Sequence, residues 1–338
     1  MMNRRGYTAH DIAKMVGGQV VREGSVLASE LVPIHQEVKG AISFLRDERF
    51  LTEVYRATPR MILTTRQISD KIGHGNHGIV VIENGTSEMY EALALIYDLV
   101  TSEDKSLIVP SISPNCEIHP SAVLNGSVHI DDHVVIEAAV SIGSGTRIGS
   151  HTKVKSGARI GPNVRVGQRC LIHENAVIGS EGFGFLKSDN GQRIRIPHFA
   201  SVRIGDQVEI GVSTVIDRGS VFDTIIGDGV KLDNLIQIAH GVRIGERTVI
   251  AAQSGVSGST IIGRDCVIGG QVGIAGHLTI ADGSQIQAKS GIASSILPEG
   301  KKWYGYPALK YISYLRSYAL FKRLPELLDR LERLEKRT

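Results

Sequence analysis

The sequence predicts a mainly β protein whose central part is a parallel β-helix, a solenoid of short strands and turns. Aliphatic residues fall at every sixth position in two blocks of twelve, over residues 112–178 and 226–292, and a shorter block covers 204–216. A period of six fits neither an α-helix nor a half-buried strand, but it is typical of hexapeptide repeats. Glycine often follows the aliphatic residue, as a tight corner requires. Three hexads complete one triangular coil, so the blocks predict about nine coils.

Residues 1–100 lack this register and predict a separate, small α/β domain ahead of the solenoid. Thr8 with Asp11 has the pattern of a capping box, which predicts a short helix at the start of the domain. Ser87 is expected to cap a second, amphipathic helix. Residues 101–111 are then the linker into the solenoid.

The β-helix is expected over residues 112–308. The hexad register breaks twice within it, at about 179–203 and again at about 217–225. Interruptions in a solenoid are surface loops, often on the binding face. These two loops are therefore where chemistry is expected.

The final segment, residues 309–338, has the leucine spacing of helices, and Pro325 is expected to separate two of them. From residue 301 onward the chain holds ten Lys and Arg against four Asp and Glu. The segment is either a helical cap on the solenoid end or a basic docking surface for an acidic partner.

Composition indicates a cytoplasmic protein with no nucleic-acid partner. The 338 residues carry a formal net charge of +3, and no stretch approaches the 18 apolar residues of a membrane span. The first 18 residues carry charges where a signal peptide needs its apolar segment. The three cysteines occupy the small inward position of the hexad, so we expect them to fill space rather than act as nucleophiles.

The solenoid contains an ordered set of motifs, namely Glu181-Gly182-Phe183-Gly184-Phe185, Arg195-Ile196-Pro197, Ile216-Asp217-Arg218-Gly219, Asp223-Thr224-Ile225-Ile226-Gly227, Asp233-Asn234 and Gln237-Ile238-Ala239-His240. This set resembles the bacterial UDP-3-O-acylglucosamine N-acyltransferases of lipid A synthesis. The resemblance implies a left-handed parallel β-helix that assembles as a homotrimer, with active sites between neighbouring solenoids. It also implies transfer of an (R)-3-hydroxyacyl group from acyl carrier protein to the 2-amino group of UDP-3-O-acyl-glucosamine. No cofactor is implied beyond the phosphopantetheine thioester of that carrier.

Four residues are candidates for the chemistry. His240 lies two places after Ile238, an outward or corner offset, and the resemblance implies that it is the general base; an imidazole suits this role near neutral pH. The resemblance also implies that Asp233 orients this imidazole. Gly258 lies one 18-residue coil after His240, which makes its N–H a candidate oxyanion donor. His277 lies two coils and one residue after His240, and the resemblance implies a substrate-binding role.

The resemblance places uracil recognition in the N-terminal domain, where two aromatic rings sandwich the base. Phe44 and Phe50 occupy those places, and Arg49 could supply positive charge for a diphosphate. Asp47 would be unfavourable near that diphosphate. From the residues alone, both phenylalanines are interpreted as core residues. Asp233, Gly258 and His277 have the alternative interpretation of ordinary turn or corner residues.

No outward cysteine or activated serine is evident, so we expect direct attack of the amine on the thioester, without an acyl-enzyme. No metal site is predicted, since His129 and His133 lack a third ligand at a suitable spacing. The small residues of 287–291 would leave room for a long acyl chain. Two alternatives remain: the sister O-acyltransferase acting on UDP-N-acetylglucosamine, which lacks the extra 100 residues, and a non-catalytic hexapeptide paralogue.

Overall fold

The computed structural model of the chain contains an N-terminal α/β domain, a parallel β-helix and a C-terminal pair of helices, which confirms the predicted fold class. It describes residues 6–24, 27–28, 30–32, 34, 40–45, 48–57, 59–83, 85–101, 109–187, 191–220, 222–298, 302–305 and 311–336. None of the described helices is both long and apolar enough to cross a membrane.

The N-terminal domain is a five-stranded sheet with helices packed against it. Its strands are β1 (Gln19–Arg22), β2 (Glu30–Leu31), β3 (Ala41–Leu45), β4 (Met61–Thr64) and β5 (Gly78–Val81), in the spatial order β1-β5-β4-β3-β2. Its helices are α1 (Ala9–Val16), α2 (Leu51–Ala57), α3 (Arg66–Ser69) and α4 (Gly85–Thr101), with a 3-10 helix at Glu48–Phe50. The capping box of Thr8 and Asp11 is confirmed. The predicted cap at Ser87 is wrong in position, because α4 begins at Gly85 and Ser87 therefore lies within its first turn.

The β-helix has three faces, each a parallel sheet with one strand from each coil. The first face contains β6 (Ser111–Ile112), β9 (His129–Ile130), β12 (Arg147–Ile148), β15 (Arg165–Val166), β20 (Val202–Ile204), β23 (Thr224–Ile226), β26 (Arg243–Ile244), β29 (Ile261–Ile262) and β32 (Thr279–Ile280). The second contains β7 (Glu117–Ile118), β10 (Val135–Ile136), β13 (Lys153–Val154), β16 (Leu171–Ile172), β21 (Glu209–Ile210), β24 (Lys231–Leu232), β27 (Val249–Ile250), β30 (Val267–Ile268), β33 (Gln285–Ile286) and β35 (Lys302–Trp303). The third contains β8 (Val123–Leu124), β11 (Ser141–Ile142), β14 (Arg159–Ile160), β17 (Val177–Ser180), β22 (Val215–Asp217), β25 (Gln237–Ile238), β28 (Gly255–Val256), β31 (Gly273–Ile274) and β34 (Gly291–Ile292).

The hexad residues fill the interior of the β-helix in register. Ile238 pairs with Val256 in the next coil and Ile216 in the previous one, so each aliphatic residue stacks on its equivalent one coil away. Their side chains form one continuous buried core. Cys170 and Cys266 are buried in this core and Cys116 packs against it, which confirms the predicted inward position of the cysteines.

Both interruptions of the hexad register lie at the same edge of the β-helix. The first connects β17 to β20 and includes a hairpin of β18 (Phe185–Lys187) and β19 (Arg193–Arg195); the second connects β22 to β23. Each of these connections runs from the third face to the first face of the following coil. We call this the insertion edge, meaning the column of turns between the third and first faces. The fold therefore stacks the two loops directly beside the turns that follow them.

After the β-helix come helices α5 (Tyr311–Lys322) and α6 (Leu324–Glu335), with Pro325 in the first turn of α6. Proline fits there because the first helical N–H groups have no intrahelical acceptor. Their apolar side chains are largely exposed in the single chain, namely Leu315, Leu320, Phe321, Leu324, Leu328, Leu331 and Leu334.

Candidate active site

The insertion edge brings three of the predicted site residues into one column. The turns after β25, β28 and β31 carry His240, Gly258 and His277 in three consecutive coils. The N–H of Ser259 donates to the carbonyl of His240 over 2.9 Å, and the N–H of His277 donates to the carbonyl of Gly258 over 3.1 Å. These ladder bonds fix the spacing between the three turns.

The imidazole of His240 lies over Gly258. A Cβ built on Gly258 would come within 2.7 Å of both Cε1 and Nε2 of His240, so only glycine leaves room for the ring. The turn itself is held from the second loop. Gly241 adopts a left-handed φ of 67°, and its N–H donates to the buried Thr224 hydroxyl over 2.9 Å. Neighbouring coils thus hold both the backbone and the ring of His240.

The surroundings of His240 favour its neutral form. Partial burial lowers the pKa of His240 below its ordinary value of 6.5, and the positive charge that His277 carries when protonated lowers this pKa further. A neutral imidazole can accept a proton near pH 7. The environment therefore suits a general base.

The N–H of Gly258 donates to no acceptor among the residues that the structure describes. The same holds for Gly276 one coil further along, so the free donor is a property of this corner of the coil. Gly258 differs from Gly276 because the imidazole of His240 lies against it. An oxyanion bound to this N–H would lie next to the proposed base.

Asp233 lies at a different edge of the same chain. It follows β24 on the second face, and its carboxylate accepts the N–H groups of Asn234 over 2.8 Å and Ala252 over 3.1 Å. The structure therefore does not bring Asp233 to His240 within one chain. The predicted pairing could arise only between different copies.

The first loop adds a residue that the sequence analysis did not single out. His198 is 1% exposed, and its ring lies edge-to-face against His240 with the centroids 5.0 Å apart. Gly182 lies against both rings, since a Cβ there would come within 2.7 Å of Nε2 of His198 and 2.9 Å of Cβ of His240. No hexad or motif spacing marks His198. Only its place in the first interruption could have pointed to it.

A buried carboxylate ties both loops to β25. Asp217 accepts from the Ser180 hydroxyl over 2.9 Å and from Nε2 of Gln237 over 3.1 Å. Burial raises the pKa of this carboxyl, and the two hydrogen bonds partly offset that effect. The Thr224 hydroxyl, which holds the turn of His240, donates in turn to the carbonyl of Asp217. Asp217 thereby links the loops to the His240 turn.

Beside His240, a groove of about 590 Å³ runs along the outer surface of the third face. It crosses β25, β28, β31 and β34, and its outward positions are Gln237, Gly255, Gly273 and Gly291. A Cβ added to any of these three glycines would meet nothing within 4 Å. The groove is open because small residues repeat in register along this face.

The two phenylalanines of the predicted uracil site have different surroundings. Phe44 is 4% exposed in the domain core, with its ring 5.6 Å from that of Phe199. The structure thus favours the core interpretation for Phe44, because a base could stack on it only if the packed rings moved. Phe50 is partly buried, and its ring centroid is 4.9 Å from that of Phe222 in the second loop.

Of the charged side chains next to Phe50 in the sequence, the structure describes that of Glu48. The carboxylate of Glu48 forms an ion pair with Lys71, so its charge is already partnered. Asp47 and the side chain of Arg49 lie outside the described residues. Their predicted effects on a diphosphate stay predictions.

The histidines considered for a metal have other partners. Nε2 of His129 lies 3.0 Å from Oδ1 of Asp131, and the ring of His133 stacks on that of His151 with the centroids 4.9 Å apart. In the part of the chain that the structure describes, no three His, Cys, Asp or Glu residues are grouped as a metal site would need.

The chain is similar to several known proteins. The bacterial transferase hexapeptide family (six repeats) matches residues 145–180 and 223–258. The chain is 45% identical to a UDP-3-O-acylglucosamine N-acyltransferase of Cytophaga hutchinsonii, over 98% of this chain and 97% of that protein. It is 41% identical to the protein of that name from Paraburkholderia phytofirmans, over 97% and 93%. The solved UDP-N-acetylglucosamine acyltransferase of Campylobacter jejuni is 26% identical, with a TM-score of 0.45 over 56% of this chain and 69% of that one.

The hexapeptide-repeat β-helix matches a family of bacterial transferases, and the relatives that cover nearly the whole chain are acyltransferases: the chain is an acyltransferase. The similarity extends over nearly the whole length of both relatives, including the N-terminal domain. The chain belongs to the UDP-3-O-acylglucosamine N-acyltransferase family.

Proposed function

We propose that the chain moves an (R)-3-hydroxyacyl group from acyl carrier protein to the 2-amino group of UDP-3-O-acyl-glucosamine, in lipid A synthesis. The observation that carries the proposal is the position of His240, whose pKa is lowered, beside a groove lined by small residues. The names of the full-length relatives support this acceptor over the UDP-N-acetylglucosamine of the sister O-acyltransferases. The retained base and groove argue against a non-catalytic paralogue.

The chemistry needs one base and one oxyanion donor. The amine attacks the thioester carbonyl while His240 takes up a proton from the nitrogen, and the N–H of Gly258 stabilises the oxyanion. The C–N bond forms, the C–S bond then breaks, and the proton passes from His240 to the leaving thiolate. Cys170 and Cys266 are buried, so no acyl-enzyme is assigned to them. The reaction is a direct transfer in a ternary complex.

The groove is suited to the acyl chain. It begins at Gln237 in the coil of His240 and crosses the three following coils, about 14 Å of stacked strands. Its outward glycines present no side chain to the acyl group. His277, exposed at the same edge, is placed to contact the substrate or the carrier. Phe50 remains the candidate for contact with the uracil ring.

The partners follow from the same family and the surface of the chain. We propose a homotrimer in the cytoplasm, with acyl carrier protein as the acyl donor. The exposed leucines of α5 and α6 are suited to be buried by contacts with other subunits. Basic residues close to these helices suit an acidic carrier.

The decisive assay mixes the protein with 3-hydroxyacyl carrier protein and UDP-3-O-acyl-glucosamine. We expect amide product, and a loss of roughly 10³-fold or more in kcat/KM for His240→Ala.

The pH profile of the wild type is a second prediction. Because the pKa of His240 is lowered, kcat/KM should stay constant as the pH falls past 6.5, and should decrease only when the imidazole becomes protonated at lower pH. His173→Ala, at a partly buried histidine in the turn after β16 and away from the insertion edge, is the matched control and should retain activity. The proposal is wrong if wild-type protein gives no product with any chain length, or if His240→Ala retains full activity.

A further inference from the structure

We propose that His198 is a positioning residue for His240: its buried ring forms one wall of the pocket that holds the imidazole of His240 over Gly258. The inference rests on the proposed role of His240 as the base. It concerns a residue in the first loop, outside the hexads, and it predicts an effect on proton uptake that a purely structural residue would not have.

The contacts define a pocket with two sides. On one side, the ring of His240 lies on Gly258, where a Cβ would come within 2.7 Å of its Nε2. On the other side, the ring of His198 meets it edge-to-face at a centroid distance of 5.0 Å. Gly182 closes the remaining gap against both histidines. The first loop and the following coil therefore hold His240 between them.

His198 cannot itself act on a substrate. It is 1% exposed, and its Nδ1 has no hydrogen-bond partner among the described residues. His240 is partly exposed, so the group that can reach an acceptor amine is His240. This burial assigns His198 a supporting role.

The charge state of His198 suits a residue that encloses His240 without exchanging protons itself. Burial lowers the pKa of His198 to about 4, with further contributions from His240, Arg195 and Arg218, whereas the backbone of Ile196 acts in the opposite direction. His198 therefore stays neutral while His240 gains and loses a proton. A ring that is uncharged near neutral pH excludes water from one side of His240 and adds to the burial that lowers the pKa of His240.

The test measures the titration of His240 directly, by NMR of histidine-labelled protein, together with the pH profile of kcat/KM. In His198→Ala, water reaches His240, so its pKa should rise towards 6.5 and kcat should fall by roughly tenfold to a hundredfold with little change in KM. His198→Phe keeps an aromatic wall without nitrogen. Its His240 titration and kcat should stay close to those of the wild type.

His77→Ala is the matched control, since His77 is a buried histidine of the N-terminal domain with a described contact to Arg22 and none to His240. It should leave the titration of His240 unchanged. The proposal is overturned if His198→Ala leaves that titration and the pH profile unchanged, or if His198→Phe behaves like His198→Ala.

One measurement needs no variant. In the wild type, the ring signal of His198 should show no titration between pH 5 and 8, because its pKa is lowered to about 4; titration of His198 in that range would contradict the proposal. The NMR results are independent of turnover. An inactive wild type would therefore refute the proposed reaction, and the NMR titrations of His240 would still decide the role of His198.

Discussion

The placement of a single ring at the site depends on which residues have no side chain. His240 lies where Gly258 and Gly182 leave space, and His198 completes the enclosure. A methyl group at Gly258 would come within 2.7 Å of Nε2, well inside ordinary van der Waals contact. The position of the base is thus set by the glycines of neighbouring segments as much as by its own turn.

For Gly258→Ala, we expect kcat to fall by about a hundredfold while the fold is kept, because the imidazole must move and a misplaced base loses much of its effect. Gly276→Ala is the matched control at the same corner one coil away. Its added Cβ meets the carbonyl of Gly258 at 3.1 Å and no histidine, so activity should change little. Steady-state kinetics and thermal melts of both variants check this. Equal activity of the two variants would show that close packing of His240 on Gly258 is not required.

At the scale of elements, the third face is specialised by its outward residues. Its inward positions are the same aliphatic residues as on the other faces, but β28, β31 and β34 each begin with an outward glycine. The result is a groove that starts in the coil of His240 and extends over three further coils. Depth in the groove should therefore correspond to position along an acyl chain.

Gly255→Leu, in the coil adjacent to His240, should reduce transfer from donors of every chain length. Gly291→Leu, at the far end of the groove, should reduce transfer only from the longer donors, because short chains do not reach it. A donor series from short to long acyl chains, compared by kcat/KM, measures both effects. Gln285→Leu places the same side chain on the second face and should leave the chain-length profile unchanged. A wild-type profile for Gly291→Leu would contradict the placement of the acyl chain in this groove.

At the scale of the whole molecule, a single chain does not bring all of the predicted site residues together. Asp233 lies at the edge that follows the second face, whereas His240 lies at the insertion edge. The apolar residues of α5 and α6 are likewise exposed among the residues that the structure describes. Both observations are expected if several copies assemble as proposed, because residues at different edges can then meet.

The assembly is tested first by light scattering, where three chains of 36.5 kDa should give a mass of about 110 kDa. Asp233→Ala and His240→Ala should each be inactive alone. If the two residues act across copies, protein co-expressed from both variants should regain activity, because some sites then receive both intact residues. Co-expression of two differently tagged copies of His240→Ala provides the control and should stay inactive. No recovery in mixed assemblies, despite a trimeric mass, would exclude an Asp233–His240 pair between copies.

The sequence by itself determined the β-helix, because the six-residue period fixes which side chains face inward in every coil, and each coil repeats the pattern. It also placed His240, Gly258 and His277 on one edge, since residues about 18 apart fall at equivalent corners. Only the tertiary structure decided the surroundings of His240. His198 and Asp217 reach that edge through irregular loops, and no period relates a loop residue to its neighbours in space. Phe44 became a core residue for a similar reason: its contact with Phe199 joins segments 155 residues apart in the sequence, which only the packing of the domain against the loop reveals.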